Sequence, residues 1–276
     1  MTIIINNRVA TEPYMSDLPA VLITGASSGI GATYADRLAR RGHDLVIVAR
    51  DKARLDALAE RLVAETGVSI DVIQADLTQE ADLSVVEARL RDDARIGVLV
   101  NNAGLSIAGR FDRQASPDLA RLVAVNTTAV LRLAHAVSPR FVEAGQGAII
   151  NVGSVVGLVP EFGQTVYGAT KAFVLFLSQG LAFELGPKGI YVQAVLPAAT
   201  GTEIWSRAGA DPSQLPPMME VGEMVDAALV GFDRREPVTI PPLHDAGQWD
   251  AFQAARLAML PGFGQVTAAP RYKADV

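Results

Sequence analysis

The apolar run Ala20-Val21-Leu22-Ile23 passes without a break into Thr24-Gly25-Ala26-Ser27-Ser28-Gly29-Ile30-Gly31, and this junction constrains the fold more than any other part of the chain. A short, continuously apolar run fits a strand buried on both faces, as in a parallel sheet. Beyond the glycines, Ile30, Tyr34 and Leu38 recur at helical spacing as far as Gly42. In that setting Gly25 permits a tight turn, Gly29 lets backbone approach a ligand, and Gly31 lets the helix pack closely on the strand. Exposed N–H groups at the helix start suit a pyrophosphate. The spacing is G-x-x-x-G-x-G rather than the more familiar G-x-G-x-x-G, which is itself informative.

The same alternation repeats along the chain. Leu45–Ala49 reads as a second strand, followed by a helix over 51–66 with Leu55, Leu58, Leu62 and Val63 on its apolar side. A strand over 69–74 ends at Asp76-Leu77, a helix covers Glu80–Asp92, and a strand over 97–100 ends in Asn101-Asn102-Ala103-Gly104. A long helical stretch over 117–144, a strand over 148–152, a helix over 165–185, a strand over 190–196, a helix over 222–232 and a short strand over 238–240 complete the pattern. Strands and helices alternating over short connections predict an α/β fold with a doubly wound parallel sheet. Its ligand belongs beyond the C-terminal strand ends, where Gly25, Arg50, Asp76, Asn102 and Ser154 fall. Residues 1–18 read as an irregular tail and 19–276 as a single domain. Within that domain 198–220, with its three prolines, is expected to be a lid loop, and 241–276 a C-terminal arm.

Several function classes fall away on composition. Half of the 276 residues are hydrophobic and 20% are charged, enough for a sizeable core. The net charge is −6 with basic residues spread along the chain, so no nucleic-acid partner is expected. The absence of cysteine excludes a disulfide framework, thiolate catalysis and a zinc-ribbon site, and His43, His135 and His244 have no metal-ligand spacing. The N-terminal stretch lacks a basic segment followed by a signal-length apolar core, and no stretch reaches ~18 uninterrupted apolar residues. A soluble, cytoplasmic protein without a membrane span is expected.

The chemistry is concentrated in Asn151-Val152-Gly153-Ser154 and the residues up to Lys171. Ser154 falls where a strand should end, and Tyr167 and Lys171 lie four apart at the start of a helix, on one face and one turn apart. A phenol titrates near ~10, and a neighbouring ammonium favours the phenolate. With Ser154 on the same substrate oxygen, Tyr167 could give a proton to a carbonyl receiving a hydride, or take one from an alcohol in reverse. Asn126 lies inside the predicted helix over 117–144. An Asn there is either a surface residue or one that bends the helix and holds a water.

Taken together, Thr24-Gly25-x-x-x-Gly29-x-Gly31, Asp76, Asn101-Asn102-Ala103-Gly104, Asn126, Ser154 and Tyr167-x-x-x-Lys171 resemble the classical short-chain dehydrogenase/reductase family across roughly residues 20–240. The resemblance implies a Rossmann-type sheet and a catalytic set of Asn126, Ser154, Tyr167 and Lys171. Tyr167 would be the acid/base; Lys171 would lower its pKa and bind the nicotinamide ribose; Asn126 would anchor a proton-relay water. Gly25, Ser27, Ser28, Gly29, Ile30 and Gly31 would line the pyrophosphate and ribose, Asp76 and Leu77 the adenine, and Asn102, Ala103 and Gly104 the adenosine ribose. The family has Pro-Gly after the sixth strand, whereas here Pro197 precedes Ala198, whose methyl restricts backbone that would otherwise reach positive φ. Pro197, Thr200 and Thr202 are the candidates there for the nicotinamide carboxamide.

Three further expectations follow. At the end of the second strand Arg50 is placed to reach a 2′-phosphate while Asp51 starts the next helix as a cap, so NADP(H) is expected over NAD(H). Ile204, Trp205, Leu215, Met218 and Met219 suggest an apolar pocket wall and a small apolar carbonyl or alcohol substrate. The helix over 165–185 carries Phe173, Phe176, Leu177, Leu181 and Phe183, more apolar surface than one sheet contact needs; a homodimer or homotetramer is expected. A non-catalytic dinucleotide-binding redox sensor would not need the Tyr–Lys pair. A methyltransferase using S-adenosylmethionine would leave that pair unexplained.

Overall fold

The computed structural model describes residues 18–273 except 210, 212, 214 and 216. Apart from Leu18, the tail expected over 1–18 lies outside the described residues, as do four positions of the expected lid. The chain divides into two units, one ending at Pro241 and the other beginning at Pro242.

The first unit is built on seven strands: β1 (Ala20–Thr24), β2 (Leu45–Ala49), β3 (Ile70–Gln74), β4 (Ile96–Asn101), β5 (Gly147–Val152), β6 (Ile190–Val195) and β7 (Val238–Thr239). All pair in parallel, in the order β3-β2-β1-β4-β5-β6-β7. The continuously apolar runs behave as expected: every residue of β1 and β2 is buried. Strand order reverses between β1 and β4, which opens a crevice above their C-terminal ends.

Helices cover both faces. On one side α1 (Gly29–Arg40), α2 (Lys52–Thr66) and α8 (Val221–Asp233) pack Leu38, Leu55, Leu62 and Met224 on the sheet. On the other, α3 (Glu80–Asp92) and α5 (Val130–Ala144) contribute Val86, Leu90, Leu133 and Phe141. The predicted apolar side of α2 needs one correction: Val63 is 44% exposed, and the buried line runs Leu55, Ala59, Leu62. Positions i, i+4 and i+7 share a stripe at helical period, and Val63 falls just off it.

The helical stretch predicted over 117–144 is three segments. These are α4 (Ser116–Val123), a π-helical turn over Ala124–Ala129, and α5. Asn126 lies in the π turn and is fully buried, which excludes the surface reading. Such turns occur mostly as single insertions in α-helices, frequently at functional sites. α6 (Thr165–Leu185) packs on β5 and β6; by length and composition it is also apolar enough to cross a membrane. Its buried side carries Thr170, Lys171, Val174, Leu175 and Ser178, while Phe176 and Phe183 are 79% and 85% exposed. Between β6 and α8, a short helix α7 (Ile204–Arg207) lies within the lid, and Thr200 pairs with Met219 across its base.

The second unit contains α9 (Ala246–Ala258), capped by Asp245, whose side chain accepts from the Gly247 N–H. α9 buries none of its residues; Trp249 and Phe252 stack with ring centroids 5.5 Å apart.

Candidate active site

A cavity of about 640 Å³ lies over the C-terminal strand ends. Its lining includes Gly25, Ser27, Ser28, Gly29, Ile30, Arg50, Asp76, Leu77, Asn102, Ala103, Gly104, Ser154, Tyr167, Lys171, Pro197, Thr200 and Thr202, so nearly every expected site residue meets there. Gly31 and Asn126 are the exceptions, and both support the site from behind. A side chain on Gly31 would collide with the Gly25 carbonyl and the Asn102 amide, so Gly31 allows α1 to press against the turn. Asn102 fixes that turn by donating to the Thr24 carbonyl at 2.9 Å. Gly25 and Gly29 adopt φ of 68° and 52°, the left-handed region that favours glycine.

α1 begins without a side-chain cap and without an acidic residue in its first turn. Its leading N–H groups therefore lack a side-chain acceptor, the arrangement an anion completes. Cavity size and this uncapped helix start fit a nicotinamide dinucleotide. At the adenosine end, burial pushes the Asp76 carboxyl up. The Thr78 N–H and hydroxyl, together with the charges of Arg50 and Arg121, nonetheless hold it below the usual carboxylate range. Arg50 approaches Asp76 only loosely, at 3.9 Å, with half of its side chain exposed. Asp51 caps α2 as expected, accepting from the Arg54 N–H at 3.1 Å. Ala198 introduces no strain: Arg235 is the only non-glycine residue with positive φ among the described residues.

At the other end stand Ser154, Tyr167 and Lys171. The Ser154 hydroxyl donates to the Pro197 carbonyl at 3.3 Å and accepts from the Val156 N–H at 3.2 Å, which holds it at the end of β5. Lys171 donates to the Val152 carbonyl at 2.9 Å, and its Nζ lies 5.7 Å from the centre of the Tyr167 ring. Burial pushes the Tyr167 phenol up to about 12, and its hydrogen bond with Ser154 pulls the other way. The expectation that Lys171 lowers this phenol is therefore corrected for the protein as it stands. Lys171 is itself buried, which brings it down to about 8, and its ammonium is directed at Val152. The lysine remains protonated at neutral pH; the phenol remains a proton donor.

Asn126 is held on the side facing the β4 loop and α6. Its Oδ1 accepts from the Leu105 N–H at 2.8 Å, and its Nδ2 donates to the Leu105 carbonyl at 2.9 Å and to Thr170 Oγ1 at 3.1 Å. Both amide hydrogens are committed to protein, so the side chain braces the framework and does not hold a water through its N–H groups. Of the expected apolar wall only Ile204 and Trp205 line the cavity. Leu215 and Met218 face a neighbouring cavity beside α1, and Met219 packs on the core. The Thr200–Met219 pairing turns that end of the lid back toward β6.

Among the cavity-lining residues that sequence reasoning missed are Leu105, Ser106, Arg121, Val156, Gln164 and Arg207. Ser106 Oγ lies 3.4 Å from Gln164 Oε1, joining two loops distant in the chain. No local spacing marks these residues, since separate elements bring them to one place.

A doubly wound parallel sheet with a dinucleotide-sized crevice, ending in a serine, a tyrosine and a buried lysine, defines an α/β protein with an acid/base pair beside a cofactor cavity. Residues 19–213 match the family model described as short chain dehydrogenase, and the chain belongs to that family. It is similar to a solved short-chain dehydrogenase from Sphingobium yanoikuyae in complex with NADPH: 67% identity, 93% of this chain and 100% of that one covered, TM-score 0.91. It also resembles the bulky-bulky ketone specific alcohol dehydrogenase from Comamonas testosteroni: 61% identity, 93% and 99% covered, TM-score 0.87. A curated relative, the very-long-chain 3-oxoacyl-CoA reductase of Bos taurus, is 37% identical over 187 residues; the match covers 66% of this chain and 60% of that protein's length.

Proposed function

We propose that the protein is an NAD(P)-dependent oxidoreductase that interconverts a carbonyl and an alcohol, with NADP(H) preferred and a bulky apolar ketone as substrate. The observation that carries this reading is the meeting of Ser154, Tyr167 and Lys171 at one end of a dinucleotide-sized cavity. The cofactor, when bound, supplies the hydride chemistry. Tyr167 Oη holds the proton for the substrate oxygen, Ser154 Oγ orients that oxygen, and Lys171 Nζ keeps positive charge beside the phenol. A redox sensor would have no use for this proton-donating set. Arg50 at the adenosine end supports the NADP(H) preference, as does the NADPH bound by the Sphingobium relative.

The substrate reading rests on Ile204, Trp205, Val156 and Leu105 in the wall, and on the ketone specificity named for the Comamonas relative. Arg207 also lines the cavity; its Nη2 lies 2.5 Å from Glu203 Oε2, a carboxylate it shares with Arg54. Following NADPH oxidation over a ketone panel should give kcat/KM at least ~10-fold higher for bulky aromatic ketones than for keto acids of similar size. A preference for the keto acids would discard the substrate reading; no turnover with any carbonyl would discard the oxidoreductase.

The same proposal includes a cytoplasmic homodimer or homotetramer. Phe176 and Phe183 on α6 support the assembly, since two nearly bare phenylalanines on one helix are costly to leave in water. Light scattering at micromolar concentration should report a dimer or tetramer; a monomer would contradict it.

A further inference from the structure

We infer that Thr170 is a positioning residue for the reaction: it ties the catalytic turn of α6 to the π turn and so fixes where the Tyr167 phenol stands. Tyr167 is the third residue of α6, in the first turn, where helical hydrogen bonding is incomplete. The residue preceding that turn, Gln164, provides no side-chain cap, and 155–164 contains only two short 3₁₀ turns. A catalytic side chain on an uncapped first turn needs an anchor from elsewhere. Thr170 supplies it. Its Oγ1 donates to the Tyr167 carbonyl at 2.7 Å and accepts from Asn126 Nδ2 at 3.1 Å, and the residue is 3% exposed.

Asn126 in turn grips the backbone N–H and carbonyl of Leu105, just beyond Asn101-Asn102-Ala103-Gly104 at the end of β4. A continuous chain of hydrogen bonds, buried at Asn126–Thr170 and part-buried at its ends, thus runs from the β4 loop, through the π turn, to the backbone of the tyrosine. The π turn is what carries Asn126 to this point. Lys171 is the next residue along, so the same tie sets both members of the pair. Farther along α6, Ser178 makes a matching pair of bonds: it donates to the Val174 carbonyl at 2.7 Å and accepts from Asn151 Nδ2 at 3.0 Å. That second tie lies in the helix interior, away from the cavity, and is an internal control for buried hydroxyls on this helix.

The inference rests on the oxidoreductase reading, and the experiment separates the two. Thr170→Val keeps shape and removes both bonds; Thr170→Ser keeps the bonds; Ser178→Ala removes the control tie. Each is assayed with NADPH and a bulky aromatic ketone, well below its thermal midpoint. Thr170→Val should lower kcat by about 10-fold to 100-fold, the scale set by misplacing a catalytic group by about 1 Å. KM values should change by less than about 3-fold, since ground-state binding is left in place. The upper limb of kcat against pH should move upward, because a phenol that loses its hydrogen bond with Ser154 is harder to ionise. Thr170→Ser should recover most of kcat, and Ser178→Ala should lose thermal stability comparable to Thr170→Val with kcat unchanged. Wild-type kcat in Thr170→Val, no recovery in Thr170→Ser, or an equal kcat loss in Ser178→Ala would each overturn the inference. A wild-type protein that reduces no ketone would instead overturn the reading on which it rests.

Discussion

Replacing Tyr167 with phenylalanine will leave the fold and dinucleotide binding intact and lower kcat by roughly 10²–10⁴. The change removes one oxygen from a part-buried side chain that lines the cavity. The hydroxyl's hydrogen-bond partner, Ser154, keeps its contacts with Pro197 and Val156, so no buried polar group is orphaned. The loss therefore falls on proton transfer. With burial pushing the phenol up to about 12, its proton-donating form persists through neutral pH. Single-turnover reduction of a ketone, with cofactor binding followed separately by fluorescence, checks both halves. Wild-type turnover in the variant would remove Tyr167 from the mechanism.

Replacing Arg50 with alanine should weaken NADP(H) binding by ~1.5–3 kcal/mol, about 10- to 150-fold, and leave NAD(H) nearly unchanged. Arg50 follows the last residue of β2 and lines the cavity, held by nothing tighter than a 3.9 Å approach to Asp76. A phosphate can therefore recruit its guanidinium at little cost and receive a bidentate contact. Asp51, the competing carboxylate, already serves the α2 N-terminus and pairs with Arg54 at 3.4 Å. Because Arg50 is half exposed, the discrimination should shrink as salt is raised. Calorimetric titration of both cofactors at two salt concentrations measures it, and equal losses for NADP(H) and NAD(H) would show that Arg50 does not reach the 2′ position.

Much of this site is legible in the amino-acid sequence, because its motifs are local. A strand ending in Gly25-x-x-x-Gly29-x-Gly31 must turn tightly into a helix, and Tyr167 and Lys171 four residues apart must share a helix face. The apolar runs of β1 and β2 likewise determined that these strands lie inside a covered parallel sheet, and Asp51 next to a strand end announced a cap. Each of these depends on neighbours within a few residues, and local sterics and hydrogen bonding are written at that range.

What tertiary structure alone decided depends on elements far apart in the chain. Leu105, Asn126 and Thr170 meet only because β4 lies beside β5 and the π turn carries Asn126 between the β4 loop and α6. That meeting takes up the Asn126 amide hydrogens and makes the asparagine a brace. Burial, a property of the assembled core, set the Tyr167 and Lys171 protonation balance against the simple ion-neighbour expectation. Ile204 and Trp205 line the cavity while Leu215 and Met218 line its neighbour, which Trp205 also borders. Residue type and spacing determine which groups are available, but packing over long sequence separations determines which of them touch.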